Sequence, residues 1–483
     1  MLHLKNFIGG NYIEPLDKNY FDNINPATGD VISKIPASKD ADVALAIEAA
    51  KRVFHSWSNS TLESRFKILN KIAEGIESKL DELALAETID TGKAIRHAQQ
   101  IDIPRAASNF RFFATAAMQF ASESHEMPGQ AINYTLRQPI GIVGCISPWN
   151  LPLYLFTWKI APALATGNCV IAKPSEFSPT TAYLLGEICN EAGLPGGVLN
   201  ILQGYGNEAG EAIVTHPEIK AISFTGGTKT GAHIASVAAP KFKKLSLELG
   251  GKNPCLIFAD CDYEKIVKQV IRLAFSNSGQ ICLCGSRILI EENIYEQFKT
   301  DLVNEVSKLI PSDPEDASSK MGSLISEQHQ QKVLSYIELA KSEGGNLLCG
   351  GGSFKVEGRC SNGYFILPTV FEGLKPDSRC NMEEIFGPVI SLQSFKNEEE
   401  AIQLANQSHY GLASTVWTQN LSRAHRVSHN LKTGIVWVNC WLMRDLRTPF
   451  GGMNDSGVGR EGGWEAMRFF TEAKNVCINF GPL

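Results

Sequence analysis

A chain of 483 residues, 43% hydrophobic and 20% charged, is long enough for two or three domains that each bury a core, and too apolar for a disordered or fibrous protein. Forty-five Lys and Arg against 51 Asp and Glu leave a net charge of −6, which provides no basic footprint for a nucleic-acid backbone. The longest apolar stretch, 151–165, is broken by Pro152, Lys159 and Pro162 and falls short of the roughly 20 residues of a spanning helix, so no membrane partner is expected.

Twelve irregularly spaced cysteines match neither a disulfide framework nor paired zinc spacing, which points to free thiols in a reducing cytoplasm. Residues 1–7 lack the apolar core of a secretory signal, so a cytoplasmic location is expected. In chain order, the first 120 residues read as mainly helical, with apolar residues at helical spacing over 40–54 and 62–88. Residues 131–136 read as a strand without a helix partner.

From 139 to about 258, short apolar runs alternate with helical stretches. Strands are predicted at 140–146, 168–173, 198–203 and 221–224, and helices at 153–166, at 179–192 and from Thr228. This alternation predicts a doubly wound parallel sheet with ligands at the carboxyl ends of its strands. Beyond 260 a second α/β series follows: helix 263–276, strand 287–291, then helices 293–309 and 327–343. A last strand at 475–480 would form, with 131–136, an exposed arm that another subunit must cover.

Five segments carry side chains suited to chemistry. Cys282 lies in a loop, Asn277-Ser278-Gly279-Gln280-Ile281-Cys282, between a helix and a strand. Glu248 ends a strand and enters the turn Leu249-Gly250-Gly251, where backbone can approach a ligand. Asn150, in Ser147-Pro148-Trp149-Asn150, carries an amide donor to the edge of the sheet. Lys173-Pro174-Ser175-Glu176 ends the next strand, where a carboxylate suits both adenosine ribose hydroxyls and repels a 2′-phosphate, favouring NAD over NADP. Phe224-Thr225-Gly226-Gly227-Thr228-Lys229-Thr230-Gly231 runs from strand through glycine turn to helix, where N–H groups meet a pyrophosphate. Each alone has an ordinary explanation: a buried thiol, a solvated carboxylate, a helix cap. Gly457-Val458-Gly459-Arg460-Glu461-Gly462 matches the dinucleotide fingerprint literally, but no predicted strand precedes it, and it reads as a decoy. His425 and His429 have i, i+4 spacing without a third ligand, so no metal is expected.

Together these segments resemble the aldehyde dehydrogenase superfamily from Phe7 to Phe480. The motifs P-W-N at Pro148, K-P-S-E at Lys173, F-T-G at Phe224, E-L-G-G-K at Glu248, G-Q-x-C at Gly279, E-E-I-F-G-P at Glu383 and P-F-G-G at Pro449 stand in that family's order. The resemblance implies an α/β fold: a Rossmann-type NAD-binding domain (1–122 and 140–249), an α/β catalytic domain (250–449) and a small β arm (123–139 and 470–483) that joins subunits into dimers or tetramers. It implies Cys282 as nucleophile, Glu248 as general base and Asn150 as oxyanion donor, helped by the backbone N–H of Cys282. For NAD it implies Ser147, Pro148, Trp149, Lys173, Ser175, Glu176, Gly226, Gly227, Gly231, Leu249, Glu384 and Phe386. Gly227 stands where a serine often contacts phosphate, leaving that contact to backbone.

Arg105 and Arg444 fall where family members acting on apolar aldehydes carry hydrophobic tunnel residues, and together they resemble a carboxylate clamp. Leu151 and Trp158 would wall the tunnel. The phrases I-D-I-P-R at Ile101, N-F-R-F-F-A at Asn109, N-L-P-L-Y-L at Asn150 and N-C-W-L-M-R-D-L at Asn439 resemble the branch acting on 2-aminomuconic and 2-hydroxymuconic 6-semialdehydes. That implies a substrate with an acid at one end and an aldehyde at the other, the amino compound of tryptophan breakdown first and the hydroxy analogue second. Other semialdehyde or betaine-aldehyde dehydrogenases, a thiol hydrolase without NAD and a non-catalytic binding protein are the remaining alternatives.

Overall fold

The structure, a computed structural model, describes residues 2–481. Two sheets carry the architecture. The first has eight strands, and five of them are parallel, in the spatial order Lys244–Glu248, Ile219–Thr225, Ile142–Ile146, Cys169–Lys173, Leu199–Ile201. The chain starts this set in the middle, proceeds to one side, then returns to build the other. The order therefore reverses between Ile142–Ile146 and Ile219–Thr225, and the crevice beyond the carboxyl ends of those two strands is the natural ligand position. Its strands read as continuous apolar runs because helices cover both faces. Pro152–Ala165 is buried along its entire length between this sheet and helix Ile103–Gln119.

The second sheet has seven strands. Thr369–Glu372, Val389–Phe395, Gly285–Glu291, Asn253–Ile257, Ala413–Trp417 and Ile435–Val438 are parallel, and Asn346–Cys349 adds an antiparallel edge. A three-stranded antiparallel sheet stands apart from both: Thr471–Asn479 pairs residue by residue with Ala131–Pro139, which also pairs with Ser124–Met127. Ile478, Leu136 and Met127 of this arm are exposed. Among the described residues no helix is long and apolar enough to cross a membrane.

The first 120 residues are less helical than their composition predicts. Five short strands precede the first helix, and Asn6–Ile8 with Asn11–Ile13 forms a hairpin on the edge of the eight-stranded sheet. Its two-residue turn is Gly9-Gly10, both at positive φ, a hairpin signal that the helical spacing further on obscures. The helix expected over 62–88 is two, Leu62–Ser78 and Leu80–Thr91, with Lys79 outside helical geometry between them. The decoy at Gly457 is a two-residue strand, Gly457–Val458, antiparallel to Lys244–Glu248, and it makes no strand-to-helix phosphate turn.

Candidate active site

Cys282 lies between helix Tyr263–Phe275 and strand Gly285–Glu291. Asn277, Ser278 and Gly279 hold φ values of 49°, 56° and 73° in succession. Two of the three are not glycine, so each costs on the order of 1–3 kcal/mol and needs its surroundings to impose the conformation. Side chains do so. The Asn277 amide donates to the Asn150 carbonyl at 3.1 Å, and the Ser278 hydroxyl to the Gly322 carbonyl at 2.9 Å. Asn253 donates to the carbonyls of Cys282 and Cys284 at 2.6 and 2.9 Å, and the Trp441 indole donates to that of Leu283 at 3.0 Å. The loop is thus fixed on both sides of the thiol.

Asn150 sits between strand Ile142–Ile146 and helix Pro152–Ala165, buried, beside the same loop. Its Nδ2 donates to the Gln280 carbonyl at 2.8 Å. An amide nitrogen carries two hydrogens, so this bond uses one and orients the other. Asn150 and Cys282 line one cleft together.

Glu248 ends strand Lys244–Glu248, and both carboxylate oxygens are buried without a hydrogen-bond partner. Burial pushes its pKa well up, and the Glu461 carboxylate adds to this, with Lys159, Arg460 and Arg444 opposing. Gly451, at φ 150°, lies against it, and a Cβ there would stand 2.5 Å from Glu248 Oε1. Burial also raises the Cys282 thiol, followed by the carboxylates of Glu384 and Glu248. Both shifts favour the protonated forms, so attack by the thiol and action by the carboxylate each depend on a proton being given up.

One cavity joins Cys282 and Glu248 to Arg105 of helix Ile103–Gln119, Tyr154 of helix Pro152–Ala165 and Arg444 of the loop after strand Ile435–Val438. Leu151 lines it. Trp158 does not. It is 2% exposed and packs behind the wall, with the Arg444 guanidinium carbon 5.1 Å from its ring centroid. One helical turn separates Trp158 from Tyr154, and Tyr154 with Leu155 forms the wall instead. His97 and Asp102 also line the cavity, and neither stood out in the sequence.

At the reversal of the first sheet a second cleft, lined by Pro148, Trp149, Gly226, Gly227, Glu384 and Phe386, opens on Cys282. Nothing lies within 4 Å of where a Gly227 Cβ would stand, and helix Thr228–Ala238 begins at the next residue with its free N–H groups. A Cβ on Gly231 would strike Leu249 at 2.4 Å, so this glycine admits the Leu249 side chain, and it is Leu249 that reaches the cleft. Glu384 accepts from the Gly251 N–H at 3.0 Å. Burial alone would raise Glu176, but the charge of Lys173, 3.2 Å away, and backbone N–H bonds outweigh it and hold the carboxyl below its usual range. An ionised acceptor, an open glycine and a helix start are what a dinucleotide requires. Ser147, Lys173 and Ser175 are buried behind these groups: the Lys173 ammonium donates to the Pro174 carbonyl at 2.9 Å, and the Ser175 hydroxyl accepts from the Phe177 N–H at 3.3 Å.

Sequence reasoning missed the partners of Glu248. Glu461 Oε1 accepts from Lys159 Nζ at 2.7 Å and from the Ser223 hydroxyl at 3.2 Å, all three buried. Lys159 showed a signal, a lone cation inside an apolar helix that needs a buried counter-charge. Glu461 lay hidden in the glycine-rich decoy. His425 and His429 are exposed on helix Leu421–Asn430.

The fold and the two joined clefts, both lined by Cys282 and one by a glycine turn at a helix start, have the form of a dinucleotide-dependent dehydrogenase. The sequence pattern of the Aldehyde dehydrogenase family matches residues 12–476, and the chain belongs to that family as an NAD-dependent enzyme oxidising aldehydes. It is 49% identical over 480 residues to a 2-aminomuconic semialdehyde dehydrogenase of Danio rerio, covering 99% of this chain and 98% of that protein. It is 44% identical to a 2-hydroxymuconic semialdehyde dehydrogenase of Pseudomonas sp. (strain CF600), covering 99% of this chain and 100% of that one. Among solved structures, Staphylococcus aureus betaine aldehyde dehydrogenase in complex with NAD+ matches with a TM-score of 0.96 at 38% identity, over 100% of this chain and 96% of that chain.

Proposed function

We propose that this enzyme oxidises a semialdehyde carrying a carboxylate at its far end, 2-aminomuconic 6-semialdehyde first, to the dicarboxylic acid. The observation that carries this reading is the pair Arg105 and Arg444 in the cavity that also holds Cys282. Two guanidinium groups in one cavity, neither held in an ion pair by the acidic side chains that also line it, call for an anionic ligand. The relatives named for muconic semialdehydes support the same class.

In the chemistry we assign, the Cys282 thiol gives its proton to the Glu248 carboxylate, which relays it to solvent, and the sulfur adds to the aldehyde carbon, because hydride leaves a carbonyl carbon only after a nucleophile has made it tetrahedral. The free N–H of Asn150 and the backbone N–H of Cys282 hold the resulting oxyanion. NAD, when bound, supplies the hydride acceptor. Collapse of the oxyanion leaves a thioester on Cys282. Glu248, ionised by then, takes a proton from water, which attacks the thioester, releases the carboxylic acid and restores the thiol. Pro148, Trp149, Gly226, Gly227, Leu249, Glu384 and Phe386 would hold the nicotinamide end of NAD, and Glu176, positioned by Lys173, the adenosine ribose.

We assign NAD binding to residues 1–122 and 140–249, the catalytic thiol to 250–449, and subunit pairing to the arm, 123–139 with 470–483, in a homodimer or homotetramer. The unpaired edges and exposed apolar side chains of the arm support that role. Twelve cysteines without a disulfide among them suit a reducing cytoplasm.

The test compares 6-oxohexanoate with hexanal, equal in length and different in charge. Arg105→Ala and Arg444→Ala should each lower kcat/KM about 10 to 150-fold on the charged substrate, the equivalent of roughly 1.5–3 kcal/mol for a charged hydrogen bond. Hexanal should change little. Equal losses on both would overturn the clamp and leave the family assignment standing. Rates on the amino and hydroxy muconic semialdehydes then separate the two named substrates.

A further inference from the structure

Two guanidinium groups that share one small cavity repel each other, and a clamp needs something to hold them together before substrate arrives. Tyr154 touches both. Its hydroxyl accepts from Arg444 Nη1 at 2.6 Å, and the Arg105 guanidinium carbon lies 5.7 Å from the centroid of its ring. The negative face of an aromatic ring attracts a cation, and a phenol oxygen accepts a hydrogen bond, so one side chain serves both arginines by different means. Phe450 and Trp158 also pack on Arg444, their ring centroids 3.9 and 5.1 Å from the guanidinium carbon. No acidic side chain lies at ion-pair distance from Arg105 or Arg444 among the described residues, and Arg444 acts on Glu248 only through the field of its charge, so both guanidinium groups can take a carboxylate directly.

The backbone that carries Tyr154 is tied to the helix that carries Arg105. Asn109, one turn beyond Arg105 on helix Ile103–Gln119, donates through Nδ2 to the Tyr154 carbonyl and to the Thr157 hydroxyl, both at 3.0 Å, and is fully buried. A shift of one helix along the other would break both bonds, so Arg105 and Tyr154 keep their relative position. Tyr154 in turn sets where Arg444 points, although Arg444 comes from a loop 290 residues later in the chain.

We infer that Tyr154 is a positioning residue for carboxylate specificity: it spaces Arg105 and Arg444 so that a single carboxylate bridges them, and Asn109 fixes it against the Arg105 helix. This rests on the clamp reading above and adds a residue that acts through the arginines. It carries no share of the bond-making chemistry.

Tyr154→Phe removes the acceptor and keeps the ring. On 6-oxohexanoate its KM should rise about three- to tenfold, less than the full worth of a charge-assisted hydrogen bond because Arg444 itself remains to meet the carboxylate, with kcat within about twofold. Hexanal, which has no carboxylate to hold, should show a clearly smaller change than 6-oxohexanoate. In an Arg444→Ala background the same substitution should add less than about twofold, because the group it positions is gone. Tyr154→Leu, which also removes the ring, should lose more on 6-oxohexanoate than Tyr154→Phe, and its thermal midpoint reports whether the fold survives. An unchanged KM for 6-oxohexanoate in Tyr154→Phe, an equal loss on hexanal, or a full additive loss in the Arg444→Ala background would each overturn the inference. If the arginine variants alone fail to discriminate the two substrates, it is the clamp that falls, and the Tyr154 result identifies which of the two ideas was at fault.

Discussion

The two ends of the substrate cavity are built from different elements, although the Arg444 loop, with Asn439 and Leu442 at φ 54° and 59°, shares the left-handed backbone of the Cys282 loop. At the reactive end, Cys282, Glu248 and Asn150 sit on loops and strand ends, and the backbone of Asn277 and Ser278 is held in a conformation that costs free energy. At the far end, Arg105 and Tyr154 rise from two packed helices in ordinary geometry, and only Arg444 comes from a loop. Charge is distributed the same way. Burial pushes the thiol and the carboxyl toward their protonated forms where bonds are made, whereas the far end holds two guanidinium groups that no carboxylate pairs with. Chemistry needs groups whose charge changes during the cycle, and recognition needs charge that stays fixed.

The largest expected effect lies at the reactive end. Cys282→Ala should remove NADH formation on every aldehyde, by about four orders of magnitude or more, since no other thiol in the cavity can carry the acyl group. Residual oxidation above that level in a stopped assay would break the division of labour between the two ends. Asn150→Ala comes next, at about 100 to 1,000-fold in kcat, the usual loss of one oxyanion donor. Because its other N–H holds the Gln280 carbonyl, the loss should appear on charged and uncharged aldehydes alike.

A third test sharpens the contrast in charge. After burial, the Glu461 carboxylate is the main influence raising Glu248. Glu461→Gln removes a negative charge, so the Glu248 pKa falls, the carboxylate ionises at lower pH, and the acid limb of the kcat profile should move to lower pH. A limb that stays in place or moves up would separate Glu461 from Glu248. The smallest effect belongs to the cofactor cleft. Gly227 has φ −71° and open space around its missing Cβ, so Gly227→Ser should fold with stability within about 0.5 kcal/mol of the parent and change the KM for NAD by threefold or less, downward.

The reactive end was readable because its motifs are local. A glycine turn after a strand, or an Asn between two prolines, needs its neighbours in the chain, and those neighbours are visible as letters. The first sheet was readable for a related reason, since strands covered on both faces are continuous apolar runs and the helices between them are spaced by βαβ geometry. The short N-terminal strands were not. Two or three residues show no periodicity, and Asn6–Ile8 is a strand because Leu199–Ile201 offers it an edge. Trp158 was misplaced by one helical turn, because an apolar helix buried on all sides gives no sign of which face meets the cavity.

By itself the sequence determined the family, the cofactor and the alternation of strands and helices that binds it, and it singled out Cys282, Glu248 and Asn150 as candidates, all written in contiguous motifs. Only the tertiary structure decided which charges meet. Lys159 finds Glu461 across 302 residues and Arg444 finds Tyr154 across 290. Pairing between groups so far apart in the chain leaves no periodic trace in it, because the free energy of a buried contact depends on distance and dielectric surroundings, which exist only after the layers have packed.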